Sequence, residues 1–274
     1  MPPAYHPLHR QQLFHWIGRH IEEKRSSGEL SREEASEQYI AMLRGSLGQG
    51  LWVKEPETPE ILKLREESFP LRRPIVCFTE WSLSTSLPHT NSYGHMGFGF
   101  PRRWVLDRGG QPVTYFRAAQ KSPFLRAMFD LILAHRMGMD GEVHDSLDYL
   151  LHFAKPVNDL VRKAAKARAK PAIRKKRREP RDLFNKNPGA PMRFVAEREW
   201  RIVQHASPKF KRNPEGTGPL FYLPYNPGKE LFTLVLPDNY TVNRVMRDGD
   251  LAEKLFPVNG PHVTVISWQD IGTF

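Results

Sequence analysis

The sequence predicts an α+β protein with a mixed or antiparallel sheet and flanking helices. Short apolar, β-branched runs typical of strands alternate irregularly with amphipathic stretches typical of helices. The chain also lacks the regular strand–helix rhythm that a doubly wound parallel sheet requires. With 274 residues, of which 39% are hydrophobic, the chain can bury a core, and we expect a single domain over residues 1–274.

Two elements are predicted near the N-terminus. Residues 9–25 carry apolar side chains at roughly helical spacing, although a short strand over 13–16 is the alternative. Ser31 and Glu34 form the pattern of a capping box in front of an apolar stripe, so the spacing predicts a helix over 32–46.

The middle of the chain predicts a buried strand at 74–79 and another strand at 112–117. Between them, the glycine- and aromatic-rich run 94–104 implies a close approach to the backbone, either in a bulge or by a ligand. Ser122 as N-cap and Pro123 at the first helical position predict a helix over 122–136.

In the C-terminal part of the chain, the sequence patterns predict strands. Alternating charge over residues 195–203 indicates a strand with one charged face. The last three strand candidates are LFTLVLP (231–237), TVNRVMR (241–247) and HVTVISW (262–268).

The positive charge of the chain is local. Residues 155–182 hold twelve Lys and Arg against three Asp and Glu, so they carry +9 of the net charge of +11. We interpret this segment as a basic insertion within the domain that contacts the phosphates of nucleic acid, with a solvated tether as the alternative. The candidate nucleic-acid-binding residues are Arg174, Lys175, Lys176, Arg177 and Arg178.

Composition excludes several classes of protein. Cys77 is the only cysteine, which excludes internal disulfides and cysteine-rich zinc sites. No apolar run is long enough for a transmembrane helix and the N-terminus does not resemble a signal peptide, so we expect a cytoplasmic protein. No complete nucleotide-binding, zinc-protease or nucleophile motif is present, and no metal site is predicted.

Glu197 and Glu199 form a Glu-x-Glu pair, which a strand would place on one face. Such a pair suits acid–base chemistry or stabilisation of a cation, whereas a salt-bridged strand is the structural alternative. Alternation predicts Trp200 in the core, Glu199 facing a groove, and Arg201 on the same face keeping Glu199 ionised.

The chain resembles the AbiGi-type abortive-infection family. The resemblance rests on CFTEWSLS, His89, Tyr93-Gly94, GFGFPRRW, PVTYF and EREWRI, in that order, over roughly 10–115 and 190–270. It implies a role in phage defence, and members of this group have also been described as antitoxins. A cognate toxin or antitoxin protein is therefore an expected partner.

A second resemblance is to ADP-ribosyltransferases of the DarT type, which modify DNA. LFHWIG is similar to their first strand, YGHMGFGFPRRW to their aromatic Pro-Arg segment, and EREW to their glutamate strand, although Ile17 stands where that group usually has Thr or Ser. The resemblance implies that His15 holds the ribose of NAD, the co-substrate, and that Glu199, with Glu197 as the alternative, stabilises the transition state. Contacts of NAD with Arg102 or Arg103, and with Tyr93, are expected on the same basis.

Two functional hypotheses follow. The leading one is an NAD-dependent ADP-ribosyltransferase-like toxin of an abortive-infection system that acts on DNA or RNA. The alternative is a non-enzymatic, antitoxin-like module that binds nucleic acid or a toxin. Convergence of His15, Arg103 and Glu199 in one cleft would distinguish the two hypotheses, because only the enzyme requires it.

Overall fold

The computed structural model forms two compact units, which we describe separately. The first consists of Met1–Glu55, Pro74–Gln111 and Glu199–Phe274, and the second of Pro56–Arg73 and Pro112–Arg198. The residues that the structure describes are 12–53, 60–64, 67–71, 73–80, 83, 86–116, 127, 130–131, 146, 149–156, 198–204, 210–213 and 221–271.

Strands and short helices alternate irregularly along the described residues. In chain order the elements are β1 (Gln12–Ile17), α1 (Arg19–Ser27), α2 (Arg32–Gln49), β2 (Leu51–Val53), β3 (Glu60–Leu64), β4 (Glu67–Leu71), β5 (Ile75–Thr79), α3 (Leu87–Tyr93), β6 (Met96–Pro101), α4 (Arg102–Leu106), β7 (Gln111–Pro112), β8 (Thr114–Phe116), β9 (Ala154–Pro156), β10 (Glu199–Val203), β11 (Lys211–Arg212), β12 (Phe221–Leu223), α5 (Pro227–Glu230), β13 (Thr233–Leu236), α6 (Asn239–Arg247), α7 (Gly249–Leu255), β14 (Thr264–Ser267) and α8 (Trp268–Ile271).

A seven-stranded sheet in the order β14-β13-β6-β1-β5-β10-β7 is the centre of the first unit. The neighbouring strands from β13 to β10 pair antiparallel, whereas β13 and β14 are parallel. A second sheet, β11-β12-β2, is antiparallel. The prediction of an α+β fold with a mixed, mainly antiparallel sheet is therefore confirmed.

The two faces of the large sheet carry different side chains. One face, which we call the core face, contributes Leu13, Phe78, Phe98 and Trp200 to a cluster that also contains apolar residues of α2, α6 and α7. The opposite face, the second face, carries the smaller cluster of Phe14, Trp16, Val235 and Trp268.

The N-terminal segment is a strand followed by a helix, in agreement with the alternative interpretation of 13–16, so a continuous helix over 9–25 is wrong. Gly18 separates β1 from α1 with a φ of 96°, a left-handed conformation that glycine adopts readily. A Cβ at this position would lie 2.4 Å from the Tyr39 ring. The roughly helical spacing of apolar residues over 9–25 therefore combines residues of a strand with residues of a helix, and it does not reflect one continuous helix.

Helix α2 begins where the capping box predicted. The Ser31 hydroxyl accepts a hydrogen bond from the Glu34 backbone N–H, and the Glu34 carboxylate accepts one from the Ser31 N–H. The helix extends three residues beyond the predicted 32–46 and ends at Gln49, in front of Gly50. The strand predictions for 74–79, 231–237 and 262–268 are confirmed by β5, β13 and β14, except that Trp268 begins helix α8.

The strand prediction for 241–247 is wrong, because these residues lie in helix α6. The Asp238 side chain accepts a hydrogen bond from the Thr241 N–H and caps the helix. Thr241 and Val245, four residues apart, form its buried side. Ion pairs of Arg32 with Asp238 and of Arg244 with Glu37 hold α6 against α2.

The second unit contains an antiparallel hairpin of β3 and β4 and a parallel pair of β8 and β9. Within the predicted strand 112–117, Pro112 ends β7 and Thr114–Phe116 form β8, whereas residue 117 lies outside the described residues. Most of the predicted helix 122–136 lies outside the described residues. So do residues 157–182 of the basic insertion, including its five candidate binding residues, and Glu197.

Candidate functional site

Strand β10 places the predicted catalytic glutamate inside the large sheet. It pairs with β5 so that Glu199 lies opposite Thr79, Trp200 opposite Phe78, and Arg201 opposite Cys77. Side chains alternate along the strand, and Trp200 joins the cluster on the core face, as the sequence predicted. Glu199 and Arg201 therefore lie on the second face.

Glu199 and Arg201 form a buried ion pair. Arg201 Nε donates to Glu199 Oε1 over 2.7 Å, and Arg201 and Glu199 are only 3% and 7% exposed, respectively. The predicted pairing on one face is present, but the carboxylate is buried within the protein rather than turned into an open groove. Each of these two buried charges offsets part of the desolvation cost of the other.

The backbone is strained immediately before this strand. Arg198 has a φ of 42°, in the left-handed region that residues with a Cβ rarely adopt. The conformation directs the chain into β10, whose first residue, Glu199, is already paired with Thr79. No sequence pattern would have indicated this strain, since arginine has no preference for a positive φ.

His15 occupies the core face of the sheet. Its Nδ1 lies 2.9 Å from the Cys77 carbonyl oxygen, and its ring lies 5.8 Å from the Phe78 ring, centroid to centroid. Burial lowers the pKa of His15, against the opposing effect of the Cys77 hydrogen bond, so the neutral imidazole is favoured. In this arrangement the imidazole packs against Phe78 on the core face.

His15 and Glu199 do not face each other. Glu199 is opposite Thr79, and Thr79 is opposite Phe14, so these three side chains share the second face. His15 follows Phe14 in β1 and points to the core face, where it lies opposite Phe98. The sheet itself stands between the two groups that the enzyme hypothesis assigns to the ribose of NAD.

The two arginines of the Pro-Arg segment have different surroundings. Arg102 forms an ion pair with Glu80, and its guanidinium lies 5.5 Å from the centroid of the Trp200 ring. The Trp200 indole N–H donates to the same carboxylate over 3.1 Å. This Glu80–Arg102–Trp200 cluster connects the end of β5, the start of α4 and β10.

Arg103 and Tyr93 lie nearer to the surface. The side chain of Arg103 is 84% exposed and pairs with Asp107 one helical turn later, over 2.8 Å. Tyr93 is the last residue of α3 and is 40% exposed. The structure therefore brings Arg102 to Trp200, the neighbour of Glu199, but does not bring Arg103 into that cluster.

The glycine-rich run is explained by packing between strands. A Cβ at Gly97 would lie 2.6 Å from the Trp16 ring, and a Cβ at Gly99 would lie 2.6 Å from Gln12 Oε1 and 2.8 Å from the Phe14 ring. Side chains of β1 thus fill the space above these glycines in β6. The close approach that the sequence implied is present, but side chains of the neighbouring strand make it, and the unbroken pairing of β1 with β6 leaves no bulge there.

A polar network that the sequence did not reveal lies beside this sheet. Glu22 accepts a hydrogen bond from the Tyr39 hydroxyl over 2.8 Å, and one of its carboxylate oxygens lies 3.3 Å from His95 Nδ1. Burial acts to raise the pKa of Glu22, but the hydrogen bonds from His95 and Tyr39, with the charges of His95 and Arg25, lower it below its usual value. The His95 ring stacks on Trp268, with 5.9 Å between the ring centroids.

Burial and the nearby charge of Glu22 also raise the pKa of Tyr39, so its hydroxyl remains a donor. The residues of the network are far apart in sequence and come from different elements. Only the fold could reveal them.

Comparison with known proteins gives one match. Residues 70–214, just over half of the chain, match the model of the family described as "Putative abortive phage resistance protein AbiGi, antitoxin". The chain belongs to the AbiGi family. No curated protein and no solved structure shows significant similarity to the chain.

The AbiGi match spans the part of the site that runs from Glu80 to Arg201, together with the basic segment 155–182. Membership of the family confirms the first resemblance and associates the chain with abortive phage resistance. Within the described ranges of this AbiGi chain, no group of His, Cys, Asp and Glu side chains is arranged to hold a metal ion. None of the helices described is both long and apolar enough to cross a membrane.

Proposed function

We propose that the chain acts as an antitoxin-like, non-enzymatic module of an abortive-infection system, and that its partner is a cognate toxin. The description of the AbiGi family as an antitoxin supports this proposal. The observation that carries it is the separation of His15 and Glu199 by the large sheet.

In the enzyme hypothesis, Glu199 stabilises the cationic C1 of a ribose of NAD, and His15 holds that same ribose, so the two side chains must lie close together. Groups on opposite faces of one sheet cannot serve one ribose without rearrangement of the sheet. Glu199 is also buried and already neutralised by Arg201. This arrangement suits a structural ion pair better than a carboxylate that stabilises a developing cation.

Expression of the chain alone in a bacterial host separates the two functions. An antitoxin-like module leaves growth unchanged, and the purified protein neither binds NAD by calorimetry nor transfers label from NAD to DNA, RNA or protein. Growth arrest together with label transfer would overturn the proposal. The assignment to Glu199 would then be tested with Glu199→Gln, accepted only if its circular dichroism matches that of the unchanged protein.

Partner specificity is tested by co-expression. Each gene that flanks this one in its source genome is expressed from an inducible promoter, alone and with this chain. A flanking gene that arrests growth alone but not in the presence of this chain encodes the expected toxin, and the two products should co-purify as a complex. If every toxic flanking gene remains toxic on co-expression, the antitoxin proposal fails.

A second proposed activity is binding of nucleic acid through residues 155–182, which carry +9. Replacing Arg174, Lys175, Lys176, Arg177 and Arg178 with Gln should weaken binding of a duplex of mixed sequence, measured by fluorescence anisotropy. The dependence of log K on log salt should also become flatter, by about 0.9 for each phosphate that the variant no longer neutralises.

A control variant that removes two positive charges elsewhere replaces Arg19 and Lys24, exposed basic residues of α1, with Gln, and should leave the slope unchanged. An unchanged slope and affinity in the fivefold variant would identify the segment as a tether. That result would leave the antitoxin proposal standing, because the two proposals rest on different residues.

A further inference from the structure

No further inference is drawn: the strongest candidate, the pair of buried atoms Gln12 Oε1 and Trp16 Nε1 of β1, for which the described residues show no hydrogen-bond partner, carries nothing because the side chains of Gln12, Phe14 and Trp16 themselves fill the space over Gly97 and Gly99.

Discussion

His15 and Glu199 lie on opposite faces of the seven-stranded sheet, although only strand β5 separates their strands. Side chains alternate between the two faces along each strand, and it is Phe14, not His15, that pairs with Thr79, the residue opposite Glu199. Phe14, Thr79 and Glu199 therefore form one row across the sheet. A shift of pairing by a single residue would have placed His15 in that row. Such a shift would also turn Leu13 and Ile17 away from the main core, so burial of apolar side chains holds the register as it is.

Glu199→Gln should destabilise the first unit. The substitution leaves the Arg201 guanidinium buried without this charge partner, and breaking a buried pair from one side typically costs about 3–5 kcal/mol. Urea denaturation followed by Trp fluorescence would measure the decrease in the free energy of unfolding. The double variant Glu199→Leu with Arg201→Met, which removes both charges, should recover a large part of it. A single variant as stable as the unchanged protein would show that the pair does not act as described.

Arg102→Ala should cost more stability than Arg103→Ala. Arg102 loses its ion pair with Glu80 and its position over Trp200, which together contribute about 1–2 kcal/mol. Arg103 loses only an exposed pair with Asp107, which contributes less than about 0.5 kcal/mol. Thermal unfolding of the two variants measures both losses, and Arg103→Ala is the control for Arg102→Ala. Equal losses would contradict the separation of their environments.

Gly97→Ala should destabilise the sheet by about 1–3 kcal/mol, because the added methyl group would overlap the buried Trp16 ring. Gly48→Ala is the matched control. Gly48 lies in α2, no atom of the described residues lies within 4 Å of the added Cβ, and alanine favours the helix by about 0.5–1 kcal/mol. The two variants should therefore shift the urea midpoint in opposite directions. A neutral Gly97→Ala would show that the Trp16 ring can move aside.

Glu22→Gln should lower stability by about 1–2 kcal/mol at neutral pH, because the carboxylate accepts hydrogen bonds from Tyr39 and His95. Since the folded-state pKa of Glu22 is lowered, its contribution is complete above the ordinary value of 4.5 and is lost as the pH falls through the folded-state pKa. The difference in unfolding free energy between the two proteins should therefore shrink as the pH falls through the folded-state pKa of Glu22.

The control for this prediction is Glu23→Gln. Glu23 is exposed and pairs with Arg19 one turn earlier in α1, so its loss should cost less than about 0.5 kcal/mol. Unfolding free energies of the three proteins, measured in urea over the same pH range, make the comparison. A Glu22→Gln deficit that persists undiminished in acid would assign the effect to packing rather than to the charge of the carboxylate.

Sequence alone determined the features that depend on near neighbours along the chain. The capping box of Ser31 and Glu34 begins α2, and the apolar run of β5 forms a strand. Alternation placed Trp200 in the core, with Glu199 and Arg201 together on the other face. The segregation of positive charge into residues 155–182 is likewise a property of the sequence. These features follow from local hydrogen bonding and from the period of side chains along one element.

Tertiary structure decided the features that depend on how elements meet. Residues 241–247 have the composition of a strand, but the Asp238 cap and burial of Val245 among the helices make them helical. In the sequence, the run that contains Gly97 and Gly99 is compatible with a ligand site, but in the structure side chains of β1 fill the space above both glycines. His15 and Glu199 are separated because strand register sets which faces align, and register is fixed by the burial of apolar side chains from several strands at once.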